Sequence, residues 1–444
     1  MPKTSKITSA TNMSRRALLG AAGLGAAGLG AAGLGAASLS AVSVVGATSA
    51  LADDRHHGRP MPPAPTRPEV AFYGRSQAGI ANPPPAHLQF AATDTTVTSR
   101  PALIGLMKDL TQGAARFTSA LPVGKTGAVN GPADVAPEDT GEALDLPSAG
   151  LTITFGFGPE LFTSQSKGDR FGLANMQPAG LQQFPNFKGD ELVAGRIGGD
   201  ICIQACADDA QVAMHAVRNL MRIAGTRAKV RWTQAGFNRA ASLDNVTTTP
   251  RNLFGFRDGT NNLNTSDRTV MDEFVWAKSS DGAAWMDGGS YLAVRQIRML
   301  IVDWDDSVLE EQEDVLGRTK SGGAPLSGGT EFTTPDFSKL AAGGKPAIAP
   351  DSHVALAHPQ NNGGVRILRR AFNYANSDDA SGAADVGLFF MSFQRDLTRQ
   401  FVALQRQLSE SDLLNEYIRH TASAAFAVPP GTSPGGYMGE TLLA

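Results

Sequence analysis

Leu151-Thr152-Ile153-Thr154-Phe155-Gly156-Phe157 alternates between apolar and small or polar residues with the two-residue period of a β-strand. It has partners on both sides in the chain. His87-Leu88-Gln89-Phe90-Ala91-Ala92 reads as an earlier strand. Arg100 to Phe117, between the two, reads as a helix with Leu103, Leu106, Met107 and Leu110 on one face. Downstream, Ile197 to Gln204 reads as a third strand, Asp209 to Ala224 as a helix with Val212, Ala213, Ala216, Val217 and Leu220 inward, and Lys229 to Gln234 as a fourth strand. Strand, helix, strand, strand, helix, strand is the ferredoxin-like order. A second set follows. It comprises a long apolar strand from Gly289 to Val302, an acid-led helix from Ser307 to Gly317, a strand from Gly387 to Phe393 and a helix from Leu397 to Leu408. The expected fold class is α+β, in two ferredoxin-like halves with antiparallel sheets and flanking helices. The halves span residues 70–248 and 249–444, with a boundary near Thr247 to Arg251.

The first 52 residues read differently. They contain no acid, and Ser14-Arg15-Arg16-Ala17-Leu18-Leu19 is a twin-arginine core. A weakly apolar stretch follows, with three copies of Ala-Ala-Gly-Leu-Gly, and Ala50-Leu51-Ala52 is a small-residue cleavage site. This predicts export through the twin-arginine route, to a periplasmic, cell-envelope or extracellular location, of a protein that has already folded. Residues 53–69, rich in Pro and containing His56 and His57, read as a flexible leader. Without the signal, 35 basic residues face 42 acidic ones, a net charge of −7 that argues against a nucleic-acid partner. The two cysteines, Cys202 and Cys206, are spaced CxxxC, which is neither the CxxC redox motif nor the CxxCH cofactor-attachment motif. Two buried free thiols is the reading that fits.

Two loops are dense in chemistry. Phe254-Gly255-Phe256-Arg257-Asp258-Gly259-Thr260-Asn261-Asn262 has glycines that allow the backbone to approach a flat ligand, though an Asp-Gly turn alone would also explain it. Asp351-Ser352-His353-Val354-Ala355-Leu356-Ala357-His358-Pro359-Gln360, followed by Arg366 to Arg370, reads on its own as a polar loop entering a strand. A lone histidine such as His215 on its helix is ordinarily a packed or surface residue.

The order of these parts is more specific than any one of them. Gly255 to Gly259 matches a GxxDG pattern, His353 follows Asp258 by 95 residues, and Arg369 follows His353 by 16. With Gly198-Gly199-Asp200-Ile201-Cys202, residues 317–326 and Phe393-Gln394-Arg395-Asp396, this resembles the dye-decolourising haem peroxidases, from about Val70 to Gly431. The twin-arginine signal and the Phe72-Tyr73-Gly74 opening resemble the exported deferrochelatase/peroxidase subgroup of bacterial ferrous-iron uptake systems. The resemblance implies a dimeric, barrel-like α+β fold and non-covalent haem b. It makes His353 the iron ligand and places Gly259, Thr260, Asn261, His358, Pro359 and Gln360 against the haem. Asp258 and Arg369 become the groups that act on hydrogen peroxide, with Asp396 the candidate acid behind His353. It also implies oxidation of an organic reductant or, alternatively, release of iron from haem with the porphyrin left whole. A homo-oligomer and an iron-permease partner belong to the same set of expectations.

Overall fold

The computed structural model describes residues 67–239, 249–377 and 382–444. The export signal, nearly all of the leader and the start of the expected boundary lie outside these residues. The first half runs β1 (His87–Thr95), α1 (Arg100–Thr118), β2 (Thr152–Phe157), α2 (Pro159–Phe162), β3 (Ile201–Ala207), α3 (Ala210–Ala224) and β4 (Ala228–Phe237). Its strands lie in the order β4-β1-β3-β2, all antiparallel. The second half runs α4 (Arg268–Phe274), β5 (Ser290–Met299), α5 (Ile301–Asp306), α6 (Leu309–Leu316), α7 (His353–Ala357), β6 (Leu368–Arg369), β7 (Phe372–Ala375), β8 (Val386–Gln394), α8 (Ala403–Ser411), β9 (Ile418–Val428) and α9 (Glu440–Leu443).

The helices of the first half start where local chemistry starts them. Asp209 accepts from the backbone N–H of Gln211 at 2.7 Å and caps α3, and Ser99 caps α1 with Pro101 in the first turn. Leu103, Leu106, Met107, Leu110 and Phe117 then recur at helical spacing and bury against Ile153, Phe155, Ile201 and Ile203 on the outer face of the sheet.

The two sheets are not separate. β2 meets β9 at Phe157 and Ala427, β4 meets β7 at Phe237 and Asn373, and β5 pairs with β8, so the strands close into one barrel. Each seam has a glycine beside it. A Cβ on Gly156 would lie 2.9 Å from both Cys202 and Phe426, and one on Gly236 would lie 2.7 Å from the Phe372 Cβ. The backbones can approach there only because no side chain intervenes. Inside the barrel, Phe90 of the first half packs on Trp232 and, across the barrel, on Phe389 and Phe426, with ring centroids 5.1, 5.2 and 6.2 Å away. Cys202 and Cys206 are buried in the same core as free thiols. Burial on both faces makes β2 and β3 buried at every position.

Three of the boundaries that differ from expectation have a visible cause. The strand expected to reach Val302 stops at Met299, and Ile301–Asp306 turns into α5 so that Trp304 can bury and stack on Phe254 at 4.3 Å. β3 begins at Ile201 because Asp200 turns its carboxylate onto the Thr95 N–H and hydroxyl, each at 2.8 Å. The expected Leu397–Leu408 helix opens with a π-helical turn, Leu397–Val402, before α8. Among the described residues no helix is long and apolar enough to cross a membrane.

Candidate active site

The outer face of the second half's sheet carries a cavity where the first half carries α1 and α3. β8 alternates across it: Phe389, Met391 and Phe393 point into the barrel core, while Leu388 and Phe390 line the cavity with Ile297 and Met299 of β5. Phe401 of the π-helical turn and Leu404 and Leu408 of α8 line it from above.

His353 opens α7, after Ser352, whose hydroxyl donates to the Ala349 carbonyl at 2.7 Å. Its Nδ1 lies 2.6 Å from Asp412 Oδ2. The buried Asp412 uses its other oxygen to accept from the Leu414 N–H at 2.9 Å, and the Leu413 N–H donates to the Asp351 carbonyl at 3.1 Å, tying the two segments together. An ionised carboxylate only accepts, so Nδ1 carries the proton and Nε2 keeps its lone pair. The His353 side chain is 34 % accessible, and it lines the cavity, so that open surface is the cavity's. Burial pulls the imidazole pKa down, but the charge and hydrogen bond of Asp412 outweigh it and hold the value above the ordinary one.

Asp258 and Arg369 line the same cavity, and Arg369 Nη1 donates to Asp258 Oδ1 at 2.7 Å. The loop that carries Asp258 is built by its own backbone. Asn252 accepts from the N–H groups of Phe254 and Phe256 at 3.1 and 3.3 Å, and Asp258 N–H donates to the Pro250 carbonyl at 2.8 Å. Arg251 pins it to the 317–326 loop through the carbonyls of Lys320 and Ser321, at 2.7 and 2.8 Å. Arg369 is placed by β6, opposite Ser392 of β8. Asn262 joins the two: its Nδ2 donates to the Arg369 carbonyl at 2.7 Å and its Oδ1 accepts from the Arg369 N–H at 2.9 Å.

The remaining expected residues divide. Gly259, Thr260, Asn261, His358 and Pro359 line the cavity, whereas Gln360 is exposed and is not among its lining residues. Thr260 also donates to Glu331 Oε1 at 3.0 Å, and Arg257 pairs with the same carboxylate. Among the described residues no carboxylate pairs with His358. Burial and the nearby Arg318 and Arg366 push its pKa below the ordinary value. Asp396 does not stand behind His353. It caps the π-helical turn, accepting from the Arg399 N–H at 2.9 Å, and Asp412 holds the place expected of it. Asp412 and Glu331 are the site's contributors that the motifs did not name, and Asn262, the last residue of the quoted loop, had no role assigned to it.

The Dyp-type peroxidase N-terminal family model matches residues 77–238 and the C-terminal one residues 249–433. A deferrochelatase of Yersinia pestis bv. Antiqua (strain Nepal516) is 35 % identical over 378 residues, 84 % of each chain. A dye-decolorizing peroxidase of Thermobifida fusca (strain YX) is 36 % identical over 378 residues, 83 % of each chain. The crystal structure of a DyP-type peroxidase from Streptomyces coelicolor superposes with a TM-score of 0.78 at 39 % identity, covering 85 % of this chain and 97 % of that one. Ferric DtpA from Streptomyces lividans gives the same TM-score at 38 % identity and the same coverage. With both halves matched in order and close relatives aligned along most of its length, the chain belongs to the Dyp-type peroxidase family.

Proposed function

We propose that the chain is an exported haem b peroxidase that reduces hydrogen peroxide and oxidises an organic donor. One observation carries the reading: a carboxylate-backed imidazole, His353–Asp412, and a carboxylate–guanidinium pair, Asp258–Arg369, line one apolar cavity. The donor set suits haem. His353 Nε2 is free while Asp412 backs its Nδ1, the sheet side of the cavity is apolar, and Arg318 and Arg366 also line it, supplying positive charge for the carboxylates that haem carries. Both cysteines lie in the barrel core, so attachment is non-covalent.

When bound, haem supplies the redox chemistry for cleaving peroxide. His353 would hold the iron through Nε2, and Asp412 fixes the tautomer that leaves Nε2 free. Asp258 Oδ1 is held by Arg369, which leaves Oδ2 to hold the peroxide proton and move it from one peroxide oxygen to the other. The permanently charged Arg369 offsets the negative charge that develops as the O–O bond breaks. Asn262 positions Arg369 through its backbone. Gly259, Thr260, Asn261, His358 and Pro359, which line the cavity, would border the haem, with Gln360 at the surface.

The twin-arginine segment supports action outside the cytoplasmic membrane, since folded export lets a non-covalent cofactor be enclosed first. A second reading is favoured by the relatives that carry the name deferrochelatase: release of iron from haem with the porphyrin intact, in company with an iron permease. A homo-oligomer is part of both readings. The test is a haem-reconstituted preparation. It should show a Soret band and oxidise a dye with peroxide, and His353→Ala should lose both. A wild-type protein without a Soret band overturns the reading. Intact protoporphyrin with ferrous iron, in place of oxidised dye, selects the second.

A further inference from the structure

The segment between α1 and β2, residues 119–151, folds over α3 and forms a half-open cavity of about 300 Å³ that shares no lining residue with the one holding His353. Phe117, Leu144, Leu151 and Val212 make apolar walls. Set into them is a buried pair: His215 Nε2 lies 2.9 Å from Asp139 Oδ1, and the two residues are 6 % and 4 % exposed. Asp139 also accepts from the N–H groups of Val123 and Gly141, each at 2.8 Å. Burial alone would raise its pKa, but these bonds and the one from His215 outweigh it and hold the carboxyl below its ordinary range. An ionised Asp139 can only accept, so Nε2 donates to it and Nδ1 is the ring nitrogen left for a ligand. No hydrogen bond from the described residues reaches Nδ1, and His215 lines the cavity.

The surroundings are organised around this pair. Asn219, one turn along α3, donates to the His215 carbonyl at 3.0 Å and to Thr140 Oγ1 at 2.6 Å, and Arg222 donates to the Pro137 carbonyl at 2.8 Å. The described non-glycine residues with positive φ are Ala120, Asp145 and Ala149, at 53°, 64° and 48°, and all three fall in this segment. Ala120 and Asp145 line the cavity. Such strain persists where the surrounding structure over-determines it, and it gathers at binding sites. Leu121 and Leu144, also lining residues, are each 48 % exposed. A segment that served only to cover α3 would bury those leucines and relax its backbone.

We propose that this cavity is a second binding site, for a phenol whose ring lies on the apolar walls and whose hydroxyl donates to His215 Nδ1. The chemistry of the lining selects that class. Its charged side chains are the carboxylates of Asp139 and Asp145, so an anion is repelled. His215 Nδ1 and the Asp145 carboxylate are acceptors set beside the apolar walls, an arrangement that asks for a good donor on an otherwise apolar molecule, and a phenolic O–H donates more strongly than an alcohol. An apolar cavity of roughly 150 Å³ holds benzene, so this one has room for a substituted ring. Binding is read without turnover, so it stands or falls separately from the haem reading.

The experiment is a fluorine NMR titration of the full, haem-loaded protein with 4-fluorophenol. The expected result is saturable binding, with 4-fluoroanisole, which lacks the donor, and cyclohexanol as a competitor each roughly tenfold weaker. Ala128→Phe puts a ring into the cavity from its lining while keeping both His215 and Asp139 in the chain. It should abolish binding and leave the Soret band unchanged. His215→Leu should weaken binding roughly tenfold. If His215→Leu does not fold, Ala128→Phe alone decides. Absence of saturation, unchanged binding in Ala128→Phe, or 4-fluoroanisole or cyclohexanol binding as well as the phenol overturns the proposal.

Discussion

Replacing Asp412 by asparagine keeps a side chain of the same shape and removes its charge. The carboxylate accepts from His353 Nδ1 at 2.6 Å and caps the short turn at Leu413 through a 2.9 Å bond from the Leu414 N–H. The amide oxygen can still serve the cap, so Asp412→Asn isolates the effect on the imidazole. Hydrogen bonds to charged groups contribute about 1.5–3 kcal/mol. Partners of metal-bound histidines typically contribute 10–100-fold in metal affinity, which is about 1.4–2.7 kcal/mol and the same range. We expect haem to leave Asp412→Asn roughly 10–100 times faster than wild type, read as Soret decay during transfer to an excess of a haem-scavenging globin. The iron potential should rise, since the ligand becomes a weaker electron donor. Asp412→Ala should add a loss of stability of about 1 kcal/mol from the cap. Asp396→Asn is the internal control, because Asp396 caps a different turn and should leave haem release unchanged. Equal release from wild type and Asp412→Asn, or an effect of Asp396→Asn as large as that of Asp412→Asn, would refute the assignment.

Asn262→Ala removes both bonds to the Arg369 backbone, at 2.7 and 2.9 Å, and should lower kcat/KM for peroxide roughly tenfold with haem content unchanged. Stopped-flow kinetics checks this, and a wild-type rate removes Asn262 from the machinery. Asp258→Asn and Arg369→Leu should each slow the peroxide step, and because the two side chains bond at 2.7 Å the double variant should lose less than the product of the single losses. Strict multiplicativity would mean that the groups act independently. His420 is buried beside Arg295, with Asp190 3.9 Å away, and burial followed by the Arg295 charge holds its pKa well below the ordinary value. Below about pH 6.5 the unfolded chain binds a proton there that the folded chain refuses, so stability falls as pH drops through that point. His420→Gln should remove up to ~1.4 kcal/mol per pH unit from that slope, measured as denaturation midpoints between pH 7.5 and 5.5. An unchanged slope would show that His420 is not kept neutral.

The first half of the fold was legible because its elements are amphipathic. Leu103, Leu106, Met107 and Leu110 recur at helical spacing, and α3 begins at an aspartate cap that local chemistry predicts. The second half was harder for a physical reason. In Ile418–Val428 the run Ala422-Ser423-Ala424-Ala425-Phe426-Ala427-Val428 is buried at every position, so no alternation marks it as a strand. β9 is nonetheless the strand that carries the second sheet to the first. Closure of the barrel depends on Phe157 meeting Ala427 and Phe237 meeting Asn373, single contacts between residues far apart in sequence that no local pattern encodes. The glycines at the seams were visible, but their reason was not, since Gly156 matters only through the side chains of Cys202 and Phe426 beyond it.

The candidate site divides along the same line. The GxxDG loop is local: its turn is closed by Asn252 and Pro250, a few residues upstream, so its shape follows from its own sequence. The acid behind His353 is not local. It comes from 59 residues further along the chain. In sequence Asp412 is an acid at the end of one helix and the start of another, and it does serve as a cap there. Asp396 looks the same, caps the π-helical turn in the same way, and had a motif to recommend it. Capping uses one oxygen of a carboxylate, and what distinguishes the two residues is where the second oxygen goes. At Asp396 it faces the exposed Arg399 at 3.7 Å, while at Asp412 it meets the imidazole that lines the cavity. A function resting on a side chain's second oxygen is decided by packing between α7 and the end of α8, and only a structure places those two segments side by side.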